Sequence, residues 1–134
     1  MLARIQRGIV GAVLLLAWVA AWQLQNHGFA ASLAGFMAVA GATAAILAIE
    51  FTVVGWTNRS DSVPLASLRQ LLGAWWGETR AAYATFGWRQ PFRAHAVPDY
   101  LPPASVPAQR GVVLVHGFFC NRGFWTPWLR ALRQ

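Results

Sequence analysis

Residues 8–56, GIVGAVLLLAWVAAWQLQNHGFAASLAGFMAVAGATAAILAIEFTVVGW, contain a single Asp, Glu, Lys or Arg, Glu50. A tract that long and that poor in charge suits a lipid interior, where one charged side chain costs about 3 kcal/mol at the centre of a spanning helix. Gln25-Asn26-His27-Gly28 is its only polar break. Before the break, residues 8–24 make an uncharged segment of 17 residues, which is the short end of what crosses a bilayer. After it, Phe29 to Trp56 is 28 residues, about 42 Å as one helix and enough to cross with tilt. Residues 1–57 are therefore read as a helical hairpin with spans of about 8–24 and 29–50/56, its helices antiparallel because the turn is short.

The flanks orient the hairpin. Arg4 and Arg7 precede the first span, Arg59 follows the second, and the turn has no Arg or Lys. Arginine-bearing flanks stay cytoplasmic, which puts both ends inside and the turn outside in a multi-pass protein of the bacterial inner membrane. Trp18 and Trp22 near the turn, and Trp56 at the other end, suit the two interfacial belts. Arg4, Arg7 and Val19-Ala20-Ala21 also resemble a cleavable signal. The second apolar stretch, beginning only a few residues later, favours a retained helix. Small residues recur at four-residue spacing, at Ala31 and Gly35, Ala34 and Ala38, and Gly41 and Ala45. They are expected to pack the hairpin against itself, the other use of such a face being a dimer contact. Glu50 is expected to be an interfacial carboxylate near Arg59.

Composition agrees. The chain has 134 residues, 57% hydrophobic and 11% charged, against about 25% charged in ordinary soluble domains. The net charge of +7 comes from arginine alone. These arginines are scattered, with no basic run of the kind that reads nucleic acid, so the expected partner is the bilayer through its anionic headgroups.

Residues 58–90 are read as an amphipathic helix. Asn58 to Ser62 offer capping residues, and Pro64 suits a first helical turn. Leu65, Leu68, Leu72, Trp75, Trp76, Thr79, Tyr83 and Phe86 recur every three or four residues and share one face. Such a face suits either the membrane interface or packing on a neighbouring domain. Residues 91–109 carry Pro91, Pro98, Pro102, Pro103 and Pro107 and are read as an extended linker. His95 and Asp99 lie there without a nucleophile and are taken as structural.

Residues 110–134 change character. Val112 to Val115 is a short β-branched run suited to a buried strand. His116-Gly117 follows at its C-terminal end, where ligands bind in open α/β sheets. Cys120-Asn121-Arg122 and a Trp-bearing helix start come next.

This stretch resembles the oxyanion strand and HG loop of α/β-hydrolase lipases and esterases, over about the last 25 residues. The resemblance implies a carboxylic ester hydrolase acting on an ester or lipid. It implies that the backbone N–H of Phe118 helps form the oxyanion hole, that Gly117 lets the backbone turn there, and that His116 organises the loop. It also implies a G-x-S-x-G elbow followed by an acid and a His. No G-x-S-x-G occurs, and all five serines precede Val112. Cys120-Asn121-Arg122 stands where many relatives have a small glycine-rich loop. Cys120, the sole cysteine, is read as a packed thiol, and the histidines and cysteine have no metal-ligand spacing. No cofactor is expected.

The expected fold is thus a transmembrane α-helical hairpin, an amphipathic helix, and the first strand and helix of an α/β-hydrolase domain. The expected function is the N-terminal membrane-anchoring segment of a lipase or carboxylesterase, with the serine elbow beyond Gln134 and residues 1–134 inactive by themselves. The alternative is a non-catalytic small membrane protein whose hairpin and amphipathic helix bind lipid or partner proteins.

Overall fold

The computed structural model describes residues 1–60, 62, 64–98 and 112–132. Among them the regular structure is entirely helical. Helix α1 spans Leu2–Gln23, α2 Phe29–Ala40, α3 Ala42–Thr57 and α4 Leu68–Ala82. A π-helical segment, Tyr83–Arg89, continues α4 into the short α5, Gln90–Phe92. A 3-10 turn, Arg122–Trp125, leads into α6, Thr126–Ala131. The chain divides into two compact units that do not follow chain order: Met1–Arg7 with Thr85–Gln134, and Gly8–Ala84.

The expected α/β-hydrolase start is overturned, because no strand forms among the described residues. Val112 to Gly117 have no regular structure, and Val112, Val113 and Val115 are exposed, Val113 at 87%. A strand is stabilised by a neighbour's hydrogen-bond ladder, and a β-branched run supplies propensity without supplying that neighbour. A short helix, α6, follows the loop, without the strand that an α/β-hydrolase start requires.

In the Gly8–Ala84 unit, α1 is the one described helix long and apolar enough by itself to cross a membrane, with a mean hydropathy of 1.6. The turn after it, Gln25–His27, ends at Gly28, whose φ of 94° lies in the left-handed region that glycine adopts without strain. Gly35 of α2 is buried against α1. A Cβ there would come within 2.8 Å of Leu24 Cδ1 and 2.9 Å of the Ala20 carbonyl oxygen. This member of the small-residue pattern thus sits against Ala20 and Leu24 at the turn end of α1.

The second apolar stretch is not one helix. It breaks at Gly41, and its two arms are bent by 63°. With 12 and 16 residues, α2 and α3 are about 18 and 24 Å long, each too short to cross a ~30 Å hydrocarbon core alone. Gly41 donates its N–H to Met37 O, and a Cβ on it would sit 2.6 Å from that oxygen. The break therefore depends on a residue without a side chain.

Helix α4 packs on α3, not on a hydrolase domain. Its start is set by Ser67, whose side chain accepts from the Gln70 N–H while the Gln70 side chain accepts from the Ser67 N–H. Pro64 consequently lies before the helix and not in its first turn. Trp75 Nε1 donates to Ala44 O at 2.8 Å, and the Tyr83 hydroxyl donates to Ala40 O at 2.6 Å. Ala40 is the last residue of α2, so its carbonyl is among the four left without an intrahelical donor. Tyr83 fills that vacancy at the bend. The hydroxyls of Thr52 and Thr57 bond back to Ala48 O and Val53 O at 2.7 and 2.8 Å, so neither presents an unpaired polar group on an apolar surface.

Candidate functional site

The other unit is built around polar side chains. Its most enclosed large residues are Gln90 and Pro91, with Gln90 fully buried. Gln6 and Thr85, Val97 and Thr126 are also buried. Gln6 comes from the first turns of α1 and Gln90 from the end of the long α4 extension. Pro91 explains why that extension widens: a proline within a helix repels the carbonyl four residues before it, here Gly87, and π-helical spacing in Tyr83–Arg89 relieves the conflict.

Gln6, Gln90 and Asn121 form a closed amide network. Gln6 Nε2 donates to Gln90 Oε1 at 3.1 Å and to Phe119 O at 3.0 Å. Asn121 Nδ2 donates to Gln6 Oε1 at 2.8 Å and to Gln90 O at 2.9 Å. The Asn121 N–H donates to Gln90 Oε1 at 2.7 Å, and Asn121 Oδ1 caps the next turn by accepting from the Gly123 N–H at 2.8 Å. Both amide protons of Gln6 and both of Asn121 are thereby used, which satisfies groups that would otherwise cost about 1–3 kcal/mol each to bury. Gly123 lies hard against Arg89: a Cβ there would sit 2.5 Å from the Arg89 carbonyl oxygen. Arg7 closes the edge, with Nε donating to Pro91 O at 2.7 Å and its guanidinium 5.8 Å from the Phe92 ring centre. Arg7 is thus a packing residue as well as a flanking charge.

The His116–Cys120 segment is held by this network. Cys120 N–H donates to Gly117 O at 2.9 Å and closes a tight turn, while Gln6 grips the turn at Phe119 O. His116 is exposed, with Nδ1 3.0 Å from Gly117 O. Phe118 is 92% exposed, and its ring meets Phe119 edge-on at 5.1 Å. The Phe118 N–H donates to no acceptor among the described residues. The turn does not rely on glycine at Gly117. Gly28 is the described residue with positive φ, and a Cβ at Gly117 would meet nothing within 4 Å.

Cys120 is half-buried and free, with Gln90 Nε2 donating to its sulfur at 3.9 Å. His95 is exposed in the turn after α5, while Asp99 lies outside the described residues. Glu50 is exposed on α3 and forms no ion pair with Arg59. No group of three or more His, Cys, Asp or Glu capable of holding a metal occurs among the described residues. Among the described residues, the hydrogen-bond partners of the network are amides, backbone groups and the Cys120 sulfur, which position the turn.

Sequence reasoning reached His116, Gly117 and Phe118 but missed Gln6, Gln90, Asn121 and Gly123. One cue was available, a glutamine set into the start of an otherwise apolar helix. Its partners lie 84 and 115 positions away, beyond any periodicity. No family model, curated protein or solved structure matches the chain.

Proposed function

We propose that the chain is a membrane-anchoring segment that carries the oxyanion turn of a lipase-type carboxylic ester hydrolase. In this reading α1 crosses the bilayer outward and the bent α2–α3 pair returns as a broken span. The observation that carries the anchoring role is the exposed apolar surface along these helices, including Leu14, Leu15, Leu16, Leu33, Ile46, Ile49 and Val53. A soluble protein rarely leaves so large a contiguous apolar surface exposed, and lipid is the medium that covers it at no cost. The charge on the flanks supports two crossings: a re-entrant α2–α3 would leave Arg59 on the outer side, against the arginine bias.

The enzymatic part rests on the HG turn. Its Phe118 N–H is free to donate, and the turn around it is held by buried amides. Preorganised donors of that kind stabilise the charge that develops on an ester oxygen, at about 3–4 kcal/mol for one donor. No G-x-S-x-G occurs in these 134 residues, so this reading assigns them the oxyanion donor and not the nucleophile. Residues 1–134 alone supply no turnover in this mechanism.

Two measurements test the proposal. Membranes washed with alkaline carbonate should retain the chain, and a reporter fused after Gln134 should be active in the cytoplasm. A reporter active only outside the cell defeats the two-crossing topology. For the enzymatic part, a fluorophosphonate probe applied to native membranes should label the polypeptide that bears this segment, and its coding sequence should contain an in-frame G-x-S-x-G. Absence of both leaves the non-catalytic membrane protein as the surviving account.

A further inference from the structure

A groove of about 850 Å³ runs between the end of α3 and the lead-in to α4, lined by Phe51, Val54, Trp56, Leu65 and Leu71, with Asn58 and Arg59 at one end. A smaller pocket of about 240 Å³ shares Phe51, Thr52, Leu68 and Leu71 with it and extends the apolar wall to Leu72 and Trp75. The volume lies in the range of small-molecule sites, about 300–1,000 Å³. The two ends differ in chemistry. One wall is aliphatic and aromatic for several helical turns, while the mouth offers the Arg59 guanidinium and the Asn58 amide. Arg59 is the one charged residue among the described lining residues. Gly55 lines the groove, and a Cβ there would meet Leu71 Cδ1 at 3.6 Å, so a larger side chain at this position would take up groove volume.

We infer that this groove binds one anionic phospholipid, with an acyl chain along Phe51, Leu68, Leu71 and Trp75 and the phosphate at Arg59 and Asn58. The inference rests on the membrane-embedded reading of α1–α3. Charge complementarity chooses the occupant. An arginine fork pairs with phosphate oxygens by charge-assisted bonds, and an amphiphile is the ligand whose apolar length and anionic head match a one-ended groove. Arg59 stands just past the last turn of α3, where the preceding apolar run meets the polar residues 57–60. That is the level at which a headgroup phosphate sits for a helix that ends at the interface.

The test counts retained lipid by native mass spectrometry on the full chain purified in detergent with equal amounts of phosphatidylglycerol and phosphatidylcholine. One phosphatidylglycerol should be retained in preference to phosphatidylcholine by about fivefold, the effect of a single arginine on an anionic lipid. Arg59→Gln should abolish the preference. Gly55→Leu, which adds a side chain against Leu71 in the groove, should lower retention of both lipids. Arg130→Gln, on α6, should leave the preference unchanged. Equal retention of the two lipids by the wild-type chain, or an unchanged preference in Arg59→Gln, overturns the inference. Carbonate extraction of the same variants separates the two readings. A chain that stays in the membrane without lipid preference defeats the groove alone, and a chain released by carbonate defeats the anchoring role.

Discussion

Replacing Asn121 with alanine removes three interactions at once. Its two amide protons reach Gln6 Oε1 and Gln90 O, and its Oδ1 caps the Gly123 N–H. At about 1 kcal/mol net for each hydrogen bond, the loss is about 3 kcal/mol. The true loss is larger to the extent that Gln6 Oε1, on a buried side chain, finds no water in its place. At 1.4 kcal/mol per tenfold, 3 kcal/mol speeds opening of the turn by about 10²-fold. The assay is amide hydrogen exchange at Cys120 and Phe124, whose N–H groups donate to Gly117 O and Asn121 O. Asn121→Asp refines the test, since it keeps the Gly123 cap but sets an acceptor against Gln6 Oε1 and Gln90 O. Its exchange should also accelerate. Gln6→Leu combined with Asn121→Leu should cost less than the sum of the single changes, because the two side chains share a bond and each single variant strands the other. If Asn121→Ala exchanges within about threefold of wild type, the amide network does not hold the turn and the account of the site is wrong.

Gly123→Ala places a Cβ 2.5 Å from Arg89 O and should destabilise its unit by about 1–3 kcal/mol, as overpacking does, whereas Gly117→Ala meets open space and should stay within about 0.5 kcal/mol; limited proteolysis of the 112–132 region compares them. Gly41→Ala should straighten the α2–α3 bend. Spin labels at Leu33 and Val54 would then move apart by about 5 Å, from the geometry of a 63° bend at 1.5 Å per residue, and an unchanged distance would show that the bend does not depend on Gly41. Tyr83→Phe deletes the hydroxyl that caps Ala40 O and should lower thermal stability in detergent by about 1 kcal/mol, with Trp75→Phe, which strips the donor to Ala44 O, doing the same. Purified residues 1–134 should not hydrolyse a short-chain ester above background; saturable turnover lost in Cys120→Ala would show that the thiol is a nucleophile.

Local pattern was enough for α1 and for the turn after it. The uncharged tract from Gly8, its interruption at Gln25 to Gly28 and the position of the turn follow from hydropathy and from a glycine, properties each residue carries by itself. The amphipathic repeat from Leu68 to Tyr83 likewise announced α4, although Ser67 and Gln70, and not Asn58 to Ser62, set where it starts. Tertiary structure decided what those helices do with their faces. The composition of residues 29–56 permits one long helix as well as two bent ones, and the choice of two is made at Gly41 with Tyr83, 43 positions away, supplying the carbonyl's partner. The repeat in α4 could not say whether its apolar face meets lipid, a soluble domain or α3. Val112 to Val115 shows the same limit from the other side: β-branching favours an extended backbone, but a strand exists only when another segment offers its ladder, and none among the described residues does. The amide network was the least legible of all, since glutamine and asparagine carry no periodic signature and their value depends on partners that meet only after the chain has folded.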